Sequence, residues 1–341
     1  MPDLVNTIGS TDGCPTTRLI ALLGIATDCS YTAAFDSVDE VEAHIISEIN
    51  SASQIYEDTF NISLAIRNLS ISDTNCSSNS GSSFTQWNVP CSDDADTRTR
   101  LSRFSAWRGQ FQDGNALWTL LSGCRTDSVL GISWMGEVCR QGSSSFNNEN
   151  SMQTSSSTNI IIRNSQEWQV IAHEIGHSFG ASHDCSSSTC NTQTGDAESC
   201  CPLSRSTCDA EGQYIMNPSP GSGVRSFSPC SIGNICSSLG RGIVRSNCLE
   251  GNEDVAVIDT PSCATGPSGS DVCDFPQPTI QPTGGPGINT FGRTGEDDDW
   301  FDDNRTTVII VASVVGSLCV VGIAGCIFWR VRRKSQARLK K

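Results

Sequence analysis

The sequence predicts an α/β domain followed by one membrane-spanning helix. Short apolar runs alternate with amphipathic helical stretches from Arg18 to Arg163, the pattern of sheet strands joined by packed helices. Near the C-terminus, Thr306 to Trp329 is a run of 24 residues without a charge, which at about 1.5 Å per residue spans a hydrocarbon core of about 30 Å with some tilt. Sixteen of the eighteen cysteines, Cys14 to Cys273, precede that run. An even number of this size belongs to an oxidising compartment.

Taken in order, Arg18–Ala26 is a continuous apolar run suited to a strand buried on both faces. Ser37–Tyr56 places Val38, Val41, Ile45, Ile49 and Ala52 at three- and four-residue steps, with Asp39 and Glu40 in the first turn, and reads as an amphipathic helix. Ile62–Ile71 returns to strand spacing before a Ser/Asn/Gly-rich loop, 73–83. A second helix covers Asp96–Gln110 through Leu101, Phe104, Ser105 and Trp107; Ala116–Leu121 and Val129–Trp134 are two more strands. Gly142–Thr158 lacks periodicity and reads as a surface loop, and Asn159–Arg163 as a strand. After Cys248, Thr260–Gly295 is too rich in Pro, Gly, Ser and Thr to bury a core. The expected organisation is therefore a leader or remnant at 1–15, a globular domain at 16–250, an acidic stalk at 251–305, the helix at 306–329 and a basic tail at 330–341.

The net charge of −15 argues against a nucleic-acid partner, which needs clustered Lys and Arg. The acidic flank Glu296–Asp303 and the basic flank Arg330–Lys341 orient the membrane segment with its tail in the cytoplasm and the domain outside. Sequons at Asn61, Asn68 and Asn75 suit an exported surface, although Met1–Thr7 carries no export signal. Cys326, near the inner end of the segment, is a candidate for acylation.

Directly after the last strand comes Trp168-Gln-Val-Ile-Ala-His173-Glu-Ile-Gly-His177. In a helix, residues four apart share a face, so both imidazoles can meet one metal ion, with Glu174 beside them. Gly180 can adopt the conformation that ends a helix, and the turn brings His183 round as a third nitrogen ligand. Three histidines leave a zinc ion one open position, which makes it a Lewis acid towards a carbonyl and an activator of water; Glu174 is then the general base. Three of the four histidines fall in this one string, while His44 carries no such pattern. Met216, in Tyr214-Ile-Met-Asn-Pro218, can form an apolar floor under the ligands.

The string His173-Glu-Ile-Gly-His-Ser-Phe-Gly-Ala-Ser-His183-Asp184, together with Gly131–Cys139, Phe227–Ser231 and Asn247–Leu249, resembles the metzincin metallopeptidases, and Asp184 places the resemblance in the adamalysin or reprolysin (ADAM-type) branch, with a fungal flavour. The resemblance implies a mixed, twisted five-stranded sheet, a long zinc-binding helix and a small disulfide-rich C-terminal subdomain. It implies an edge strand, Gly131–Trp134, that takes an extended peptide substrate, and one catalytic Zn2+. It also implies that Cys139 pairs with Cys248 and Cys185 with Cys230, and that Asp184 supports the site without binding metal.

Three departures qualify it. No inhibitory cysteine segment precedes Arg18, and only Cys263 and Cys273 lie between Leu249 and the uncharged run, so integrin binding is not expected. Cys185–Cys208, with adjacent Cys200 and Cys201, is an insertion that either shapes the cleft, braces a loop or forms a second metal cluster. The expected function is a membrane-anchored zinc endopeptidase acting on extracellular proteins; the alternative is a non-catalytic adhesion ectodomain on the same scaffold, which the intact Glu174 and ligand set disfavour.

Overall fold

A computed structural model describes residues 4–76, 86–92, 95–126, 128–148, 151–190, 200–219, 221–251 and 308–312. In chain order the elements are β1 (Leu19–Thr27), α1 (Cys29–Thr32), α2 (Val38–Phe60), β2 (Ile62–Ser70), α3 (Thr97–Arg108), β3 (Leu117–Ser122), β4 (Val129–Trp134), β5 (Ser144–Asn148), β6 (Ser151–Ser155), β7 (Thr158–Ile162), α4 (Glu167–Ser178), α5 (Pro229–Gly240), β8 (Glu250–Gly251) and β9 (Val308–Ala312). The main sheet runs β2-β1-β3-β7-β4-β9, with β8 paired to β1. β1, β2, β3 and β7 are mutually parallel, and β4 is antiparallel to β7, so the sheet is mixed.

The parallel strands are short and apolar because both faces are covered. Leu23, Ile25, Leu117, Leu121 and Ile161 pack on one side with residues of α2, α4 and α5, while Leu120, Trp134, Ile160 and Ile162 meet Leu101, Phe104 and Trp107 of α3 on the other. α2 is capped at Ser37, whose side chain accepts from the Glu40 N–H, and runs to Phe60, four residues later than its periodicity indicated, where Asn61 in the left-handed region (φ 58°) closes it. Tyr56 and Phe60, in that last turn, are buried against Phe227.

Several expectations need correction. Residues 142–158 are not simply a loop: β5 and β6 form a hairpin joined by register pairs Ser144–Ser155 to Asn148–Ser151. Its strands are held by polar cross-strand contacts such as Ser145 Oγ to Thr154 Oγ1 at 3.0 Å, so no hydrophobic alternation marks them. Residues 4–14 are no loose leader; they pack along α5 and are tied there by a Cys14–Cys236 disulfide.

Cys139 does bond Cys248, but Cys185 bonds Cys200 and Cys230 bonds Cys201, not one another. The physical reason is a bridge between Asp184 and Cys201, in which Cys185 N–H donates to the Cys201 carbonyl at 2.8 Å. The vicinal pair is thereby inserted between Cys185 and Cys230. Cys190–Cys208 closes the same segment, which leaves no thiol there for a second metal cluster. Cys29–Cys76 and Cys91–Cys124 complete the bonds among the described residues.

Among the described residues no helix is long and apolar enough to cross a membrane. Of the segment 306–329 only 308–312 are described, and they are extended, paired antiparallel with β4, where a helix was expected. Val308-Ile-Ile-Val is β-branched and suits a strand, and the outer edge of β4 offers unpaired backbone groups. The rest of that segment, the stalk after Gly251 and the tail lie outside the described residues. Asn75 is exposed. Asn61 and Asn68 are half-buried with side-chain amides engaged, Asn61 between Arg18 and the Pro15 carbonyl and Asn68 accepting from Asn115.

Candidate metal centre

His173, Glu174 and His177 all lie on α4, and all three are buried. The helix stops at Phe179 because Gly180 turns to φ +89°, a left-handed conformation that glycine enters without strain. Gly180 and Ala181 N–H groups close the helix end on the His177 and Gly176 carbonyls, at 2.8 and 2.9 Å. The reversal carries His183 back over the helix.

The three Nε2 atoms converge: His173 to His177 at 3.0 Å, His177 to His183 at 3.1 Å and His183 to His173 at 3.1 Å. The Nδ1 of His173 donates to the Ile215 carbonyl at 2.6 Å and that of His177 to the Ala181 carbonyl at 2.7 Å. A carbonyl can only accept, so in these two rings the proton sits on Nδ1 and the Nε2 lone pair faces the others. Burial pushes the imidazole pKa values down, to about 4 for His173, to about 3 for His183 and well below the usual value for His177, the last two lowered further by neighbouring histidines. Two bare lone pairs thus face a third imidazole nitrogen, an arrangement that a cation among them satisfies. The donor set therefore fits zinc, and these residues are a group among the described residues that could hold a metal ion.

Glu174 is fully buried, and neither carboxylate oxygen has a hydrogen-bond partner among the described residues. Burial raises its pKa well above the ordinary carboxylate value. Its side chain lies against β4, where a Cβ on Gly131 would come within 2.5 Å of Oε1; only glycine lets strand and carboxylate approach this closely. A buried acid without a partner among the described residues is a place for a polar group from outside them.

Met216 is fully buried beneath α4. A Cβ on Gly176 would approach its Sδ to 2.6 Å, so the thioether fills the space the helix glycine leaves. Asp184 faces away from the imidazoles towards α5: its Oδ1 accepts from Ser228 Oγ and, at 3.0 Å, from Ser231 Oγ. Burial lifts its pKa to about 6 against the two hydroxyls, which lower it. Its N–H donates to the Met216 carbonyl at 2.8 Å, linking the third histidine to the floor.

Other supports were not read from the sequence. Tyr56 Oη donates to the Ala172 carbonyl at 2.8 Å, and Glu48 Oε2 accepts from the Trp168 N–H at 2.6 Å, so α2 holds α4 at two points. Tyr31 donates to buried Glu167 at the helix start. Nothing in an amphipathic helix announces that a tyrosine on its buried face carries such a bond. Gly131 and Gly176 do have a signal, since a glycine inside a strand or helix marks close approach.

A mixed sheet with one antiparallel strand beside its parallel ones, together with a helix that brings two histidines to a third, defines a metallopeptidase domain of the reprolysin type. Residues 16–228 match the family model Reprolysin_5, metallo-peptidase family M12, and the chain belongs to that family. The chain is 49% identical over 270 residues to the disintegrin and metalloproteinase domain-containing protein B of Aspergillus fumigatus, covering 77% of this chain and 33% of that protein. It is 43% identical over 272 residues to the protein of the same description from Trichophyton verrucosum, covering 77% and 34%. It is 31% identical over 265 residues to the zinc metalloprotease mde10 of Schizosaccharomyces pombe, covering 72% and 49%. The chain thus spans about a third of the length of the first of these relatives.

Proposed function

We propose that this chain is a zinc endopeptidase in which His173, His177 and His183 hold one catalytic ion and Glu174 is the general base. The observation that carries the reading is the convergence of three imidazole Nε2 atoms at 3.0 to 3.1 Å beside a buried carboxylate without a partner among the described residues. When bound, zinc supplies Lewis acidity, polarising the scissile carbonyl and acidifying a water. Glu174 takes the proton from the attacking water and delivers it to the leaving amine. His173 and His177 keep their lone pairs aimed by the Ile215 and Ala181 carbonyls, so no ring need reorient.

The substrate is a polypeptide taken in extended form along β4. That the outer edge of β4 accepts an antiparallel strand is seen in its pairing with Val308–Ala312, and main-chain pairing selects an extended backbone without demanding one side chain. The membrane reading rests on the sequence: inside lipid, backbone groups must be satisfied within the segment, so Thr306–Trp329 spans as a helix there. The domain then faces outward, where its disulfides persist and Asn75 is open to glycosylation.

The test is cleavage of internally quenched peptides by the secreted domain, before chelation, after it and after zinc is restored. Internal bonds should be cut in the first and third samples only. Cleavage that survives the chelator contradicts zinc chemistry, and a zinc-loaded protein that cuts nothing favours the adhesion reading.

A further inference from the structure

The segment 4–14 lies lengthwise on one face of α5. Gly9 N–H donates to the Pro229 carbonyl at 2.8 Å. A Cβ on Gly233 would fall 1.8 Å from the Thr7 carbonyl oxygen, one on Gly240 would fall 2.6 Å from Gly13 Cα, and Cys236 is bonded to Cys14. Pro229, Gly233, Cys236 and Gly240 follow at steps of four, three and four, a single helix face. Two glycines on it are what let a backbone approach so closely. At the other end Leu4, only 5% exposed, packs with Ile8 on Cys201 and Cys230, which are bonded to each other, and Asn6 accepts from Arg205 at 3.0 Å.

The same helix holds both chain neighbours of the third histidine. Asn234 Oδ1 accepts from the Ser182 N–H at 2.9 Å, and Ser228 and Ser231 hold the Asp184 carboxylate. The His183 carbonyl accepts from the Cys201 N–H at 2.7 Å, and Cys201 is the residue on which Leu4 sits. His173 and His177 stand on a helix clamped by α2 and are oriented by ring hydrogen bonds; His183 is placed through these backbone neighbours.

We infer that residues 4–14 are a positioning strap for the metal site: by fixing α5 and the Cys201–Cys230 bond they set where His183 stands. The strap never touches the metal, and it acts through Asn234, Asp184 and Cys201. A released strap therefore loosens the third ligand more than the other two. The inference rests on the reading of the histidines as zinc ligands.

The test compares the parent domain with Gly233→Leu and with the double variant Cys14→Ser/Cys236→Ser. Leucine is a better helix former than glycine, so the first variant leaves α5 intact and displaces Thr7; the second removes the tether with almost no change of volume. Hydrogen exchange at the Gly9 amide reports release, competition with a chromogenic chelator reports zinc affinity, and the visible bands of the cobalt-loaded protein report ligand geometry. Both variants should exchange faster at Gly9, bind zinc about tenfold more weakly, as loss of an outer support does, and show shifted cobalt bands. Faster exchange with parental affinity and bands overturns the inference, and should Gly233→Leu not fold, the double variant decides alone. A parent that binds no zinc overturns the underlying site reading instead, which keeps the two failures distinct.

Discussion

Glu174→Gln should lower kcat/KM for peptide hydrolysis by about 10²–10⁴-fold, roughly 2.7–5.5 kcal/mol of barrier at 1.36 kcal/mol per decade, while zinc stays bound. The amide is isosteric and cannot take a proton from water. Zinc binding is spared because the three Nε2 atoms meet without help from the carboxylate. The variant should also be no less stable than the parent. Burial without a partner already penalises the charged form of Glu174, and a neutral amide at the same place escapes that cost. Steady-state kinetics, zinc content and thermal unfolding on one preparation check all three points. Retained hydrolysis in a zinc-loaded variant rules Glu174 out as the base.

Removing the metal should cost the domain several kcal/mol. With free zinc about 1,000-fold above its dissociation constant, ligation to the folded state alone contributes about 4 kcal/mol, and for a domain of this size each kcal/mol is worth about 2–4 °C in Tm. A chelator should therefore lower Tm by roughly 8–16 °C. The shift is large because three imidazole nitrogens crowd within 3.0 to 3.1 Å, and burial, which lowers the pKa of all three rings, keeps protonation from easing that crowding near neutral pH. His177→Ala is the control. His177 is the ring closest to both others, with centroids 4.7 Å away on each side, and its loss should abolish both zinc binding and the response of Tm to chelator. A variant that still responds to zinc would place the ion elsewhere.

Much of this centre is legible in the sequence because its geometry is local. Helical periodicity alone puts His173 and His177 on one face, and Gly180 announces the turn that returns His183. Strand order is less local, yet the apolar runs of β1, β3 and β7 mark a buried sheet; the edge position expected for Gly131–Trp134 differs from the sheet, where β4 is flanked by β7 and β9. What escaped was set by tertiary path. Cys185 and Cys230 were each identified as bonded, but only the bridge of Asp184 to Cys201 decides that the vicinal cysteines come between them. The hairpin of β5 and β6 pairs mostly Ser, Thr, Asn and Gln, and its two apolar residues, Phe146 and Met152, are too few to show a strand period. The strap was hidden for another reason: its few apolar residues, Leu4 and Ile8, are too sparse to show a period, and its fit depends on glycines of α5 more than two hundred residues away.

One ion at one place is tested most directly by a crystal of the zinc-loaded domain, with anomalous diffraction recorded on either side of the zinc edge. A single strong peak within bonding distance of the Nε2 atoms of His173, His177 and His183, with Glu174 beside it and outside its coordination sphere, is the predicted result. No peak at the three histidines, or a peak held by other residues, would contradict the account.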